Sequence, residues 1–137
     1  MSKLLYRIQQ SEGFAAIGPV DDSKISEAEM KLNLSFAEDY KEYVQTFGAA
    51  TFSARELTGI CSGGPQDVVL ATKRAREFFP KFPTDAYVIE EMLIDHVMMI
   101  QNGEGSIFCY GPHDSGEEVA SGLTEYLFSN QLGNEVR

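Results

Sequence analysis

Tryptophan is absent, cysteine and histidine occur twice each, and no lysine or arginine stands between residues 82 and 136. Each shortage excludes something. Cys61 and Cys109 are far apart and belong to no CxxC or Cys/His cluster, so they read as two reduced, packed thiols and not as a metal pair. His96 lies between Asp95 and Val97 and His113 follows Gly111-Pro112, so a metal at either would need carboxylates gathered from elsewhere. No GxSxG, HExxH or GxGxxG occurs, and the phrase nearest to a phosphate loop, Cys61-Ser62-Gly63-Gly64-Pro65, lacks the lysine and reads as a turn. Glu90-Glu91 and Glu117-Glu118 are adjacent carboxylates, yet neighbours on a strand point to opposite faces and neighbours in a loop are solvated. No catalytic residue, metal or cofactor is expected, and the chain is not read as an enzyme. Nor does any stretch approach the roughly 20 apolar residues of a membrane span. The start, Met1 to Ile8, is interrupted by Arg7 and followed by Gln9-Gln10, so no signal peptide is expected and a cytoplasmic protein is.

What is present is enough for one core. The chain has 137 residues, 43% of them hydrophobic, with nine Phe and six Tyr, which excludes a disordered chain and predicts a single domain over residues 1–137. Net charge is −10 and unevenly placed. Residues 1–81 are close to balanced. Residues 82–136 hold Asp85, Glu90, Glu91, Asp95, Glu104, Asp114, Glu117, Glu118, Glu125 and Glu135 with no base among them. Such a segment repels nucleic acid and lipid head groups and attracts a basic protein. Glu90, Glu91, Asp95, Asp114, Glu117 and Glu118 are the candidate partner-binding residues. The one basic cluster, Lys73-Arg74-x-Arg76, is too small in so acidic a chain to predict nucleic-acid binding.

Leu4, Leu5 and Ile8 at helical spacing, with Gly13 as a left-handed stop, predict a first helix near 2–12. Ser26-Glu27-Ala28-Glu29 reads as a capping box with Ile25 and Met30 as its staple, starting a second helix at Glu27. Ser35-Phe36-Ala37-Glu38 repeats the box and starts a third, with Phe36, Tyr40, Tyr43, Val44 and Phe47 on one apolar face and Gly48 as its end. Residues 66–79 read as helix, with Pro65 at a first helical position and Pro80 and Pro83 closing it. From Tyr87 the period shortens toward two: 87–89, 92–94, 97–100 and 107–110 read as strands, with Asn102 to Gly105 as a hairpin connection. Residues 111–118 read as a polar loop and 123–128 as a closing helix. Helices come first and strands follow through hairpins, so the expected fold is α+β, a largely antiparallel sheet packed on N-terminal tandem helices.

The stretch Ile25-x-Glu27-Ala28-Glu29-x-x-Leu32-x-Leu34-x-Phe36-x-x-Asp39-Tyr40-x-x-Tyr43-Val44-x-x-Phe47-Gly48-Ala49 resembles the N-terminal signature of the SUKH superfamily. Later stretches are also similar: Thr58-Gly59-Ile60, Asp67-Val68-Val69 leading to Thr72 and Arg76-Glu77, the apolar run 86–89, and Gly103 to Tyr110. The resemblance covers about residues 20–130. Ala37 stands where the superfamily usually has proline and Gly48-Ala49 where it has a Gly-Gly or Asn-Gly pair, so Ser35 is expected to support the helix junction. These are packing and turn positions and carry no catalytic residue. The resemblance implies binding: bacterial members are widely immunity proteins that silence a polymorphic toxin, often a nuclease, in the producing cell, and fungal members are cell-wall and signalling regulators. The expected function is an immunity protein with a basic, nuclease-type toxin domain as partner. A regulatory or scaffold module of the same fold is the alternative.

Overall fold

A computed structural model describes residues 2–61, 63–92 and 96–129. Its first helix, α1 (Lys3–Gln9), is capped by the Ser2 hydroxyl on the Leu5 amide and buries Leu4, Leu5 and Ile8. It ends at a right-handed Gln10 cap, so Gly13, left-handed at φ 72°, turns the chain three residues later and is not the helix stop expected. Helix α2 (Asp22–Leu32) begins earlier than the capping-box reading places it. Asp21 is the cap, accepting from the Lys24 amide, so Ser26 lies inside the helix, and Met30 is exposed and forms no staple. The Ser23 hydroxyl, and after it that amide, holds the Asp21 carboxyl below its usual range. Asn33, left-handed at φ 55°, ends α2 and turns the chain into α3 (Glu38–Phe47).

The second capping box is also corrected. Ala37 is the cap of α3 and offers no side-chain hydrogen bond, and Ser35 stands outside the helix. Two distant groups satisfy the amides there: the Glu29 carboxylate accepts from Phe36 N at 2.8 Å and the Tyr87 hydroxyl accepts from Ala37 N at 2.9 Å. The missing proline is thus compensated by tertiary contacts, which no local pattern displays. Tyr40, Tyr43, Val44 and Phe47 are buried as expected.

Strands β1 (Ala15–Ala16), β2 (Ala50–Phe52) and β3 (Arg55–Glu56) form a small antiparallel sheet in that order. Helix α4 (Val68–Phe78) starts at an Asp67 cap, so Pro65 precedes it by a turn. Strands β4 (Ala86–Glu91), β5 (Met98–Asn102), β6 (Ile107–Gly111) and β7 (Asp114–Ala120) then form an antiparallel meander. β7 replaces the expected polar loop: a run reading Asp-Ser-Gly-Glu-Glu-Val-Ala has little strand propensity, and pairing with β6 overrides it. The expected strand at 92–94 falls mostly outside the described residues, and β4 ends at Glu91. A π-helical turn (Glu125–Ser129) follows, its Tyr126, Leu127 and Phe128 buried.

Cross-strand register shows how both faces of the large sheet are covered. Tyr87, Gln101, Ile107 and Ala120 pair in one row and face the main core with α3, where the Tyr87 ring meets Phe36 at 4.8 Å and Tyr40 at 4.9 Å. Val88, Ile100 and Phe108 face a second, smaller cluster with Ala71, Ala75 and Phe82 beneath α4. The fold is α+β.

Candidate binding surface

The polar groups inside the domain hold its parts together. Gln101, fully buried, accepts from the Tyr87 hydroxyl at 2.7 Å and donates to the Asp39 carboxylate and to the Gly105 carbonyl, each at 3.1 Å. The other Asp39 oxygen accepts from Leu123 N at 2.9 Å. One chain of hydrogen bonds therefore joins the start of α3, strands β4 and β5, the hairpin and the C-terminal turn. Burial, before any other cause, pushes the Tyr40, Tyr43 and Tyr87 phenols up. They remain protonated and act as packing groups with one hydrogen bond to give. None of this arrangement resembles a reaction centre. Among the described residues no group of three or more His, Cys, Asp or Glu gathers in a way that could hold a metal ion.

The two histidines and two cysteines lie apart. His96 is exposed and its ring lies 4.5 Å from that of Phe78, and His113 is exposed in the turn between β6 and β7. Cys61 and Cys109 are each half-buried, and burial raises the Cys61 thiol.

The candidate acids among the described residues fall on two strands, β4 and β7. Glu90 is only 5% exposed: the Tyr126 hydroxyl donates to one of its oxygens, and Arg55 Nε lies 3.5 Å from the other while the guanidinium sits over the Tyr126 ring. Its carboxylate is thus held inside, tying β4 to β3 and to the C-terminal turn. Burial and then the Glu90 charge push the Tyr126 phenol up. Glu91 is exposed on the opposite face of β4, 3.6 Å from Arg74 of α4. Both glutamates line an open cleft of about 810 Å³ bounded also by Thr51, Arg55, Glu56, Gln66 and Met92.

Glu117 and Glu118 are exposed on β7, at the far edge of the sheet. Register places Glu117 in a row with Cys109, Met99 and Glu90, three strand spacings or about 14 Å across. Glu118 pairs with Phe108 and so lies on the α4 face. Asp114 is the first residue of β7, and Asp95 lies outside the described residues. The acids thus occupy both margins of one sheet and both of its faces. Asp39, Gln101, Arg55 and Tyr126 were missed as organising residues. Gln101 had a weak signal, as an amide continuing the apolar run from Val97 to Ile100, whereas the partners of Asp39 are 62 and 84 residues away and leave none.

Comparison with known proteins agrees with this architecture. No curated protein matches the chain. A solved structure described as a crystal structure of protein from Pseudomonas syringae pv. tomato superposes with a TM-score of 0.71 at 11% identity, covering 88% of this chain and 91% of that one, a likeness of fold alone. The family model SUKH_6, described as SMI1-KNR4 cell-wall, matches residues 22–127, from the first residue of α2 into the C-terminal turn. The chain belongs to the SUKH_6 family.

Proposed function

We propose that this chain is an immunity protein that binds and neutralises a basic toxin domain, of nuclease type, in the cell that produces the toxin. The observation that carries the reading is the charge map: no lysine or arginine between 82 and 136, with Glu91, Glu117 and Glu118 exposed on strands of one sheet. A nuclease must be basic where it holds phosphate, so an acidic surface that covers that site gains association rate by steering as well as affinity by contact. Asp95 and Asp114 are added to this set from sequence, and buried Glu90 anchors its strand through Arg55 and Tyr126. Membership of a family rich in binding modules agrees with this role.

The test is co-expression with any toxin domain found encoded next to this chain, reading growth and co-purification together. Growth restored by a stable complex supports the reading. A toxin that kills unchanged and elutes alone overturns it. The cell-wall description of the matched family favours a second reading, a regulatory or scaffold module, and that same negative result would favour it.

A further inference from the structure

Of the two edges of the four-stranded sheet, one is engaged at its middle. Thr58 N donates to Ile89 O at 2.9 Å, the Thr58 hydroxyl donates to Val88 O at 2.8 Å, and Val88 N donates to the Thr72 hydroxyl at 3.0 Å, so the centre of β4 already spends its outer backbone groups within the domain. The edges of the small sheet, β1 and β3, are two residues each and offer almost no ladder. At the other side of the large sheet β7 has seven residues, more than any of its three neighbours, and among the described residues no strand lies beyond it. An edge of this length exposes a row of N–H and C=O groups ready to pair with another chain.

Its side chains decide which chain that is. Glu117 and Glu118 project to opposite faces, and Val119, 46% exposed, adds an apolar contact. Val119 and Gly116 fall outside the register with β6, which twists the edge. Pairing with a second copy would set glutamates of one β7 near glutamates of the other, an unfavourable cross-strand arrangement. A strand carrying lysine or arginine at successive positions meets an opposite charge on each face. The features that discourage self-association therefore select a basic guest.

We propose that β7 is a docking edge that takes an extended, basic segment of the partner as a fifth strand of the sheet. Backbone hydrogen bonds supply the pairing, and cationic side chains opposite Glu117 and Glu118 set its specificity. The identity of the partner rests on the immunity reading, whereas the edge itself does not.

The experiment measures amide hydrogen exchange on the full chain with two synthetic probes. One is an acetylated, amidated heptapeptide of valine and threonine with two successive lysines at its centre, one for each face. The other is the same peptide with its internal amides N-methylated, which keeps the charge and removes the donors. The expected result is several-fold slower exchange within 114–120 with the first probe, lost with the second and lost in the Glu117→Lys/Glu118→Lys double variant. Equal slowing by both probes, slowing only elsewhere, or no slowing overturns the proposal. So does protection of β7 already present in the free protein and removed by dilution, which would assign the edge to a second copy. If the toxin co-purifies while β7 exchanges freely in the complex, this inference falls and the immunity reading stands; if the peptide protects β7 and no toxin binds, the edge stands and that reading falls.

Discussion

Gln101 is the residue whose replacement probes the interior most directly. In Gln101→Leu the side chain keeps nearly its volume and loses all polarity, so the main loss is hydrogen bonding without a large cavity. The Tyr87 hydroxyl still accepts from Ala37 N but its own proton has no acceptor, and the Gly105 carbonyl loses the amide at 3.1 Å. Asp39 retains Leu123 N and is half-buried, so solvent meets part of its demand. Two buried groups left unsatisfied cost about 1–3 kcal/mol each. Burying an apolar side chain in place of the amide returns about 2 kcal/mol. The net loss is about 2 kcal/mol from a total of about 5–15 kcal/mol for a domain of this kind. Urea unfolding should show a lower midpoint with an unchanged slope, and the melting temperature should drop by about 8 °C. Adding Tyr87→Phe removes the orphaned proton, so the double variant should lose less than the sum of the two single changes. A Gln101→Leu protein as stable as the parent, or additive effects in the pair, would refute the account of the network.

Phe47→Ala, which removes a buried ring packed edge-on to Phe14 and Tyr43, should cost about 3–5 kcal/mol in thermal or urea melts. Gly59→Ala should prevent folding, because its Cβ would meet the Gly48 carbonyl oxygen and the Ala49 Cα and Cβ, the latter two at 2.7 Å; a soluble, cooperatively melting variant would contradict the packing of that turn. Tyr40, Tyr43, Tyr87 and Tyr126 have folded-state phenols raised above the ordinary value of about 10. The stability they contribute is complete below pH ~10 and falls as pH rises, by up to about 5 kcal/mol per unit once four phenols ionise only in the unfolded chain; tyrosinate absorbance from these residues should appear together with unfolding and not before it. Reversing Glu91, Glu117 and Glu118 to lysine should slow association with a basic toxin domain and flatten its salt dependence, whereas reversing Glu12 and Glu38 should do much less; equal effects in stopped-flow measurements would mean that net charge alone matters.

Where one element carried its own signal, the sequence was readable. The stripe Tyr40, Tyr43, Val44 and Phe47 and the hairpin at Asn102 to Gly105 depend on spacing and turn chemistry within a few residues, and both stand as read. The two capping boxes fit the residue pattern equally well and are both displaced. Asp21 captures the start of α2 with a carboxylate already held by the Ser23 hydroxyl, and Glu29, the supposed partner of Ser26, is drawn seven residues forward to Phe36 N. A capping pattern records what a side chain can reach locally and cannot register a better partner supplied by the fold. β7 is the same lesson for strands. Its residues have little inclination to extend, and its pairing is imposed by β6.

The same reasoning bears on where function resides. The motif positions that mark the family, from Ile25 to Ala49, are occupied in holding α2, α3 and the sheet together: Glu29 on Phe36 N, Asp39 on Gln101 and Leu123 N, Tyr40 on Thr58, and Tyr43 on Ala50 N. Groups spent in this way are not available to a partner. The exposed candidate acids, by contrast, stand on β4 and β7, where Glu91 meets Arg74 across a solvated gap that contributes little to stability. Interior and surface thus carry separate assignments, a buried polar framework that specifies the fold and a charged sheet margin open to change without disturbing it. That separation is why the fold was legible from packing residues while the proposed binding face rests on the distribution of charge.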